Sequence, residues 1–439
     1  MPTVRAMVKR VLTVAAGVVL GVTLSLVAAR LTLAWGFWPD RDLDRASRYV
    51  REVLQLVKEN YVEPKEADYT ALARLAIHGM VESLDPHSEF LESADYSALE
   101  EELSGDFSGI GVQVEKFKDR FVVIAPIAGT PGDRAGIQRG DELVSIDGRA
   151  LARDDSMDDL VQRLRGKPRT PVRVGLYRPT SHQHLDLTIV RETIKIDSVR
   201  DVQVLPGGIG YIQVTEFSER TGDEFGQALD RLLQQGIESL VIDLRNNPGG
   251  LLEAAVEVAE PFFRDGELIV YTQGQKPSDR DEYRAQVRGE PLQLPTVVLI
   301  NAGSASAAEV VTGALKDTGR AVVVGERSFG KGSVQSVFKL KNGEGLRLTT
   351  AKYYTPGGVS IHEKGITPQV EVVMSTEDDR KLRLQRVRSD VTDPKVFEER
   401  FGFAPIEDRQ LDVALDILKA AQLLDERAAS GAEETVARR

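Results

Sequence analysis

Val297-Val298-Leu299-Ile300-Asn301-Ala302-Gly303-Ser304-Ala305-Ser306-Ala307-Ala308-Glu309 decides how this chain is read. Four aliphatic residues make a short strand with no polar face, and the small-residue run after them opens a helix that the spacing carries to Leu315. At such a junction the first helical amides have no intrahelical partners. A serine placed there among small side chains is open to a bulky substrate, and the free amides can hold charge that develops on it. The logic is that of a nucleophile elbow without the usual sequence. The same residues also fit a serine N-cap in front of a small-residue packing face.

Working outward, apolar runs at 209–214, 240–244 and 322–324 alternate with helical stretches at 224–233 and 252–263, the pattern of an α/β region from about residue 196 to 373. Two more stretches stand out in it. Asp243-Leu244-Arg245-Asn246-Asn247-Pro248-Gly249-Gly250 ends an apolar strand with paired glycines, which let backbone amides face a ligand before the next helix. Gly325-Glu326-Arg327-Ser328-Phe329-Gly330-Lys331-Gly332-Ser333 nearly matches a phosphate-binding loop. That reading fails, because Gly332 stands where Ser or Thr must hold magnesium and residues 334–340 alternate like a strand instead of opening a helix. Lys331 is the only charged residue between Ser328 and Phe338. Burial without a local carboxylate would lower its pKa from ~10.4 toward the ~7–8 of a useful general base. On a strand, Lys331, Ser333 and Gln335 share a face, so the Gln335 amide oxygen could accept a hydrogen from the amine and aim it.

Composition narrows the chemistry. The chain has 439 residues, no cysteine and five histidines, His78, His87, His182, His184 and His362, none paired at the spacing of a helical metal site. Thiol nucleophiles, disulfides and thiolate zinc are excluded, and neither a metal site nor any cofactor is expected. With 56 basic and 68 acidic residues the net charge is −12, which argues against a nucleic-acid partner. Residues 1–38 hold Arg5, Lys9, Arg10 and Arg30 and no acid, so the remainder carries −16. An uncharged run at 11–29 follows the first basic residues, long enough to cross most of a ~30 Å hydrocarbon core. Residues 1–38 therefore read as a signal peptide with a small-residue cleavage motif at 27–29, or as an anchor in the inner membrane ending in Trp35 and Trp38. Either way the rest is exported to the cell envelope or periplasm.

After the leader, helical periodicity over 43–104 gives way at Gly105-Asp106-Phe107-Ser108-Gly109 to a β-rich module over 105–187, with strand-like runs at 112–114, 121–124, 143–146, 172–177 and 185–189. Residues 188–374 form the α/β core. Residues 375–439 are a charged helical region with an amphipathic helix at 411–424 and a polar tail. The amphipathic ends are candidate homodimer surfaces, and packing within the chain is the alternative.

In the β-rich module, Ala128-Gly129-Thr130-Pro131 followed by Arg134-Ala135-Gly136-Ile137-Gln138-Arg139-Gly140-Asp141-Glu142-Leu143-Val144-Ser145-Ile146-Asp147-Gly148 closely resembles PDZ domains. The resemblance implies that Gly109, Ile110, Gly111 and Val112 hold a C-terminal carboxylate and that Met157–Leu164 flanks the groove. A bound peptide would add a strand there, its apolar last residue filling a pocket near Ile110 and Val112.

The order Asn301 to Ala307, Phe329-Gly330-Lys331-Gly332 with Gln335, Tyr354-Thr355-Pro356-Gly357-Gly358 and Gly365-Ile366-Thr367-Pro368 resembles the carboxyl-terminal processing (tail-specific) proteases. The likeness runs from Leu43 to about Leu424 and includes Leu84-Asp85-Pro86-His87-Ser88. It implies a crotonase-like α/β protease core with an inserted PDZ domain and helical N- and C-terminal regions. It also implies a serine endopeptidase with Ser306 as nucleophile, Lys331 as base and Gln335 orienting the lysine, and an oxyanion hole of the Ala307 amide with Gly249 or Gly250. The sequence departs slightly, with Ser328 where Thr is common and His362 where Gln is common. Partners would be proteins or peptides with apolar C-termini; an activating or adaptor protein, and whether the PDZ module gates the site or recruits to it, stay open. A catalytically silent PDZ scaffold that binds protein tails in the envelope is the alternative from another class.

Overall fold

Strands Ser239–Asp243 and Thr296–Ile300 are buried at every position, as strands without a polar face must be when both sides of a parallel sheet are covered. They lie at the centre of a six-stranded sheet that runs Val199–Leu205, Ile209–Val214, Ser239–Asp243, Thr296–Ile300, Val322–Gly325, Val370–Glu371. The first pair is antiparallel and all the others are parallel. Helices Thr221–Gln234, Leu252–Ala259 and Ala307–Asp317 pack their apolar faces on one side of this sheet, around Phe225, Val258, Val311 and Leu315. The other side is closed by the C-terminal helix Arg409–Ala437, which buries Ala414 and Leu418 against Tyr211, Val241 and Leu299. Parallel strands point their C-terminal ends the same way. The stretches after Asp243, Ile300 and Gly325 therefore meet at one edge of the sheet, where open α/β sheets place their ligand sites.

The structure, a computed structural model, describes residues 13–25, 27, 30, 41–117, 119–287, 289–388 and 391–437. Its contacts divide the chain into one unit ending at Pro86 and another from His87 onward. In the first, helices Arg41–Asn60 and Tyr69–Glu82 follow the expected periodicity, and Asp68 caps the second by accepting the N–H groups of Thr70 and Ala71. Residues 13–25 are helical, and among the described residues no helix is long and apolar enough to cross a membrane. Most of the leader's flanks, including Trp35 and Trp38, lie outside the described residues.

The β-rich module forms a sheet ordered Val112–Phe117, Arg120–Pro126, Glu142–Ile146, Pro171–Arg178, Gln183–Val190, with the short strand Arg149–Ala150 on Glu142–Ile146. Each expected run falls inside one of these strands. Helix Met157–Leu164 matches its expectation residue for residue and is started by Ser156, whose hydroxyl accepts the Asp159 N–H at 3.0 Å. The Gly140-Asp141-Glu142 turn has a structural cause: buried Asp141 takes the Arg178 guanidinium on both oxygens at 2.7 Å. The module joins the core where Asp106–Gly109 pairs antiparallel with Glu192–Lys195.

Three features lie beyond the local pattern. Glu89–Leu91, inside the stretch expected to be wholly helical, is a strand because it pairs with Gly345, Leu346 and Arg347 far along the chain. A second sheet joins Gly345–Tyr354 to Glu89–Leu91, Leu268–Gln273 and Ser333–Lys339, with Arg280–Arg284 beyond Leu268–Gln273. The last helix continues to Ala437, past the expected 424.

The C-terminal region is fastened through charge. Arg245 donates to Asp243 (Nη2 to Oδ2, 2.6 Å) and to Asp408 (Nη1 to Oδ1, 2.7 Å), Arg386 binds the same two carboxylates, and the Tyr211 hydroxyl donates to Asp243 at 2.6 Å. Asp243 and Arg245 are buried. Burial alone would raise the Asp243 carboxyl, but Arg245 and Arg386 outweigh it and hold it well below the usual carboxylate range. Asp408 is lowered in the same way. A carboxyl depressed on folding contributes stability above its unfolded pKa of about 3.9 and loses it as pH falls through the folded value. We expect Asp243→Asn, which leaves Arg245 buried with half its charge partners, to lose about 3–5 kcal/mol in urea unfolding at pH 7. The parent should lose part of that advantage below about pH 4, where carboxylates begin to protonate.

Candidate active site

Ser306 sits at the start of helix Ala307–Asp317 with φ 53° and ψ −116°. A non-glycine residue in this region is strained and has to be held by its surroundings. The restraint is Glu309, 1% exposed, one turn into the helix. Its Oε2 accepts the Ser306 N–H at 2.9 Å and the Lys331 N–H at 2.9 Å; its Oε1 accepts the Gly330 N–H at 2.8 Å and the Ser328 hydroxyl at 2.5 Å. One carboxylate thus fixes both the Ser306 turn and the Lys331 loop. Burial pushes this carboxyl above its ordinary value although all four donors pull it down. The Ser328 hydroxyl in turn accepts the Ile366 N–H at 2.6 Å, which ties in the Gly365-Ile366 stretch.

The three sheet-edge loops are stitched to one another by buried polar side chains. Asn301 Oδ1 accepts the N–H groups of Asn246 (2.8 Å) and Gly303 (3.0 Å). The Ser304 hydroxyl donates to the Leu244 carbonyl at 2.7 Å, and the Ser304 carbonyl accepts the Phe329 N–H at 2.9 Å. The Asn247 carbonyl accepts the Ala305 N–H at 2.9 Å. Gly249, at φ 102°, runs so close under Ser306 that a Cβ there would lie 2.7 Å from the Ser306 Cβ and 3.0 Å from the Ala307 nitrogen. Its own N–H donates to Asn247 Oδ1 at 2.8 Å.

Ser306, Gly249, Gly250, Lys331, Ser333, Gln335 and Tyr353 line one cavity of about 410 Å³. Ser306 is buried and Lys331 half-buried. Ser306 does occupy the N-cap position of its helix, and Glu309 reaches back to its N–H as in a capping box, so the N-cap reading and an opening into the cavity hold together. Lys331 lies just ahead of strand Ser333–Lys339 and not on it. Gly332 fills the gap because a Cβ would lie 2.1 Å from the His362 nitrogen, which also explains why no Ser or Thr follows the lysine. Gln335 Nε2 donates to Ser333 Oγ (3.2 Å) and Thr349 Oγ1 (2.9 Å), whereas its Oε1 is buried with no hydrogen-bond partner. The Gln335 oxygen thus does not receive the lysine amine in this conformation. Burial pushes the Tyr353 phenol up to about 12 although nearby Ser306 pulls it down, so it is neutral at ordinary pH. Glu309 and Tyr353 escaped sequence reasoning. Glu309 stands one turn after Ser306 and was a usable signal; nothing local marks Tyr353.

A second groove, of about 200 Å³, runs between Gly109, Ile110, Gly111 and Val112 on one side and Met157, Leu160, Val161 and Leu164 on the other. It brings together the PDZ residues named from sequence. Among the described residues no group of His, Asp and Glu side chains could hold a metal ion.

The family models matched are Peptidase family S41 over residues 208–372 and PDZ domain over 122–178. A carboxy-terminal-processing protease of Bartonella bacilliformis is 36% identical over 372 residues, 83% of each chain. A CtpA-like serine protease of Staphylococcus aureus is 36% identical over 324 residues, 74% of this chain and 64% of that one. Among solved structures, the photosystem II D1 C-terminal processing protease is 33% identical, with 73% of this chain and 92% of that chain covered at a TM-score of 0.44. A serine at a strained strand-to-helix turn, a lysine in the same cavity and a PDZ module thus occur in a chain that belongs to peptidase family S41, the carboxy-terminal-processing serine proteases.

Proposed function

We propose that Ser306 is the nucleophile and Lys331 its general base, in a crotonase-like core. The observation that carries this reading is the strained Ser306 turn, opened into the same cavity as Lys331 and clamped to the lysine loop by Glu309. Neutral Lys331 takes the Ser306 proton, and the alkoxide attacks a peptide carbonyl. The Ala307 amide receives the oxyanion together with an amide of the Gly249-Gly250 pair. Gly250 is the better second donor, because the Gly249 N–H is already committed to Asn247. The lysine ammonium then protonates the leaving amine, and water, deprotonated by the same lysine, releases the acyl group. Gln335 Oε1 accepts from the ammonium when it forms.

The protein is a serine peptidase with a PDZ domain that acts on C-terminal regions of polypeptides. We further propose that Gly109, Ile110, Gly111 and Val112 hold the substrate's terminal carboxylate and that an apolar last residue enters the groove beside Leu160 and Leu164. The basic, acid-free leader supports the further proposal that this activity belongs to the cell envelope.

Ser306→Ala and Lys331→Met should each lower kcat on a peptide with an apolar C-terminus by about 10⁴-fold or more, as removal of one member of a catalytic unit does. Undiminished cleavage by Ser306→Ala would overturn the dyad, and a parent that cleaves no such peptide would leave the scaffold reading. Because the base works deprotonated, kcat/KM of the parent should fall as pH drops through the neutral range and level off in the alkaline range. A flat profile would remove the lysine from the mechanism. Glu309→Gln keeps the shape but turns an NH₂ toward backbone N–H donors. We expect urea unfolding to weaken by about 2–3 kcal/mol, since hydrogen bonds to a charged acceptor are each worth about 1.5–3 kcal/mol. Acylation should slow about tenfold or more, a barrier increase of about 1.4 kcal/mol. Parent-like values for both would show that the clamp is dispensable.

A further inference from the structure

Strand Ser333–Lys339 pairs with Gly345–Tyr354 along one side and, among the described residues, with no other strand. Glu89–Leu91 lies on the far side of Gly345–Tyr354, since Leu346 and Arg347 pair with it as well as with Phe338 and Val337. The outer side of Ser333–Lys339 is therefore an open edge, and no turn or loop among the described residues bonds to the backbone of 334–338 there. Such an edge is a template for another strand, and proteins usually blunt it with charge, proline or a bulge. Here none of these is present: Ser333-Val334-Gln335-Ser336-Val337-Phe338 has neither proline nor charge before Lys339. The one irregularity of the ladder falls in the partner, where Thr350 is passed over between Ala351 and Thr349, so the edge strand keeps its alternation.

Ser333, Val334, Gln335, Ser336 and Val337 all line the cavity that holds Ser306 and Lys331. Successive residues of a strand point to opposite faces, so a cavity that touches five in a row runs along the edge between those faces. Leu99 and Leu103 of helix Ser93–Ser104 line the same cavity and give it apolar wall. Resting on the assignment of Ser306 and Lys331, we propose that residues 333–337 are the substrate-binding strand of the peptidase, to whose open edge the polypeptide on one side of the scissile bond adds as a further β-strand. At ~3.4 Å per residue the edge from 333 to 337 is about 14 Å long, room for about four or five extended residues. Main-chain bonds read conformation before side chains, so the site selects extended, unfolded chain and tolerates varied sequence. A helical segment has already spent its backbone groups and cannot enter. Because Lys331 stands two residues before Ser333, adding a strand also sets the register of the scissile bond against the dyad.

The test uses an internally quenched peptide with an apolar C-terminus whose cleavage site has been located by mass spectrometry. Single amide N–H groups on both sides of that site are replaced, first by N-methyl and then by ester, and the last four residues, which the PDZ groove would take, stay unaltered. Every second residue on one side of the scissile bond faces the edge. There N-methylation should lower kcat/KM about tenfold or more and an ester about fivefold, as loss of one hydrogen bond does, with the residues between within about twofold of the parent peptide. Esters that leave kcat/KM unaltered at every position, or losses without alternation, would overturn the proposal. Photoleucine placed beside the scissile bond and irradiated with Ser306→Ala should attach within residues 333–337; attachment only elsewhere in the core would also overturn it. Cleavage by Ser306→Ala would mean that the dyad assignment has failed, whereas a dead Ser306→Ala beside esters without alternation condemns the substrate strand alone.

Discussion

Four donors converge on the Glu309 carboxylate, and the geometry of the cavity depends on that convergence. The Ser306 turn is strained and the Lys331 loop has no regular structure, so neither would persist alone. A buried charge is tolerated only when its hydrogen bonds compensate the lost solvation. Glu309 meets that condition with donors from two loops that are far apart in sequence. The strain at Ser306 is thereby offset by a contact that also sets how far the lysine loop stands from it.

Beneath this clamp the parallel sheet supplies rigidity. Its loops after Asp243, Ile300 and Gly325 share one edge by topology, and Asn301 and Ser304 bind them together with hydrogen bonds to backbone groups that would otherwise be orphaned. The charged network around Asp243 then joins the start of the Gly249-Gly250 loop to Asp408 and Arg386 of the C-terminal region. The C-terminal helices thus do more than cover the sheet: they hold the strand end from which the Gly249-Gly250 loop departs.

Much of this was legible in the sequence because it is written in local patterns. Apolar runs without a polar face marked the buried strands, small residues after Ile300 marked the elbow, and glycine punctuation located the PDZ strands. What was not legible depends on distant partners. Glu89–Leu91 is a strand only because it pairs with Gly345, Leu346 and Arg347, and Tyr353 lines the cavity with Ser306 only because the second sheet carries it there. Lys331 is the sharpest case. Its own stretch of sequence holds no acid, yet the fold carries Glu309 to its backbone, so the absence of a nearby carboxylate in sequence did not mean an absence in space.

Gln335 shows how an unmet hydrogen bond can mark function. Its Nε2 is committed to Ser333 and Thr349, which fixes the amide plane and leaves Oε1 aimed into a buried position with no donor. An acceptor in that state costs about 1–3 kcal/mol, a cost that packing gives no reason to retain. In the proposed cycle Lys331 gains a third N–H and a positive charge when it takes the serine proton, and becomes the stronger donor for such an acceptor. On that proposal Gln335 Oε1 serves the charged state more than the resting one. An interaction that strengthens as the reaction proceeds lowers the barrier more than it tightens the ground state, which is the condition for raising kcat.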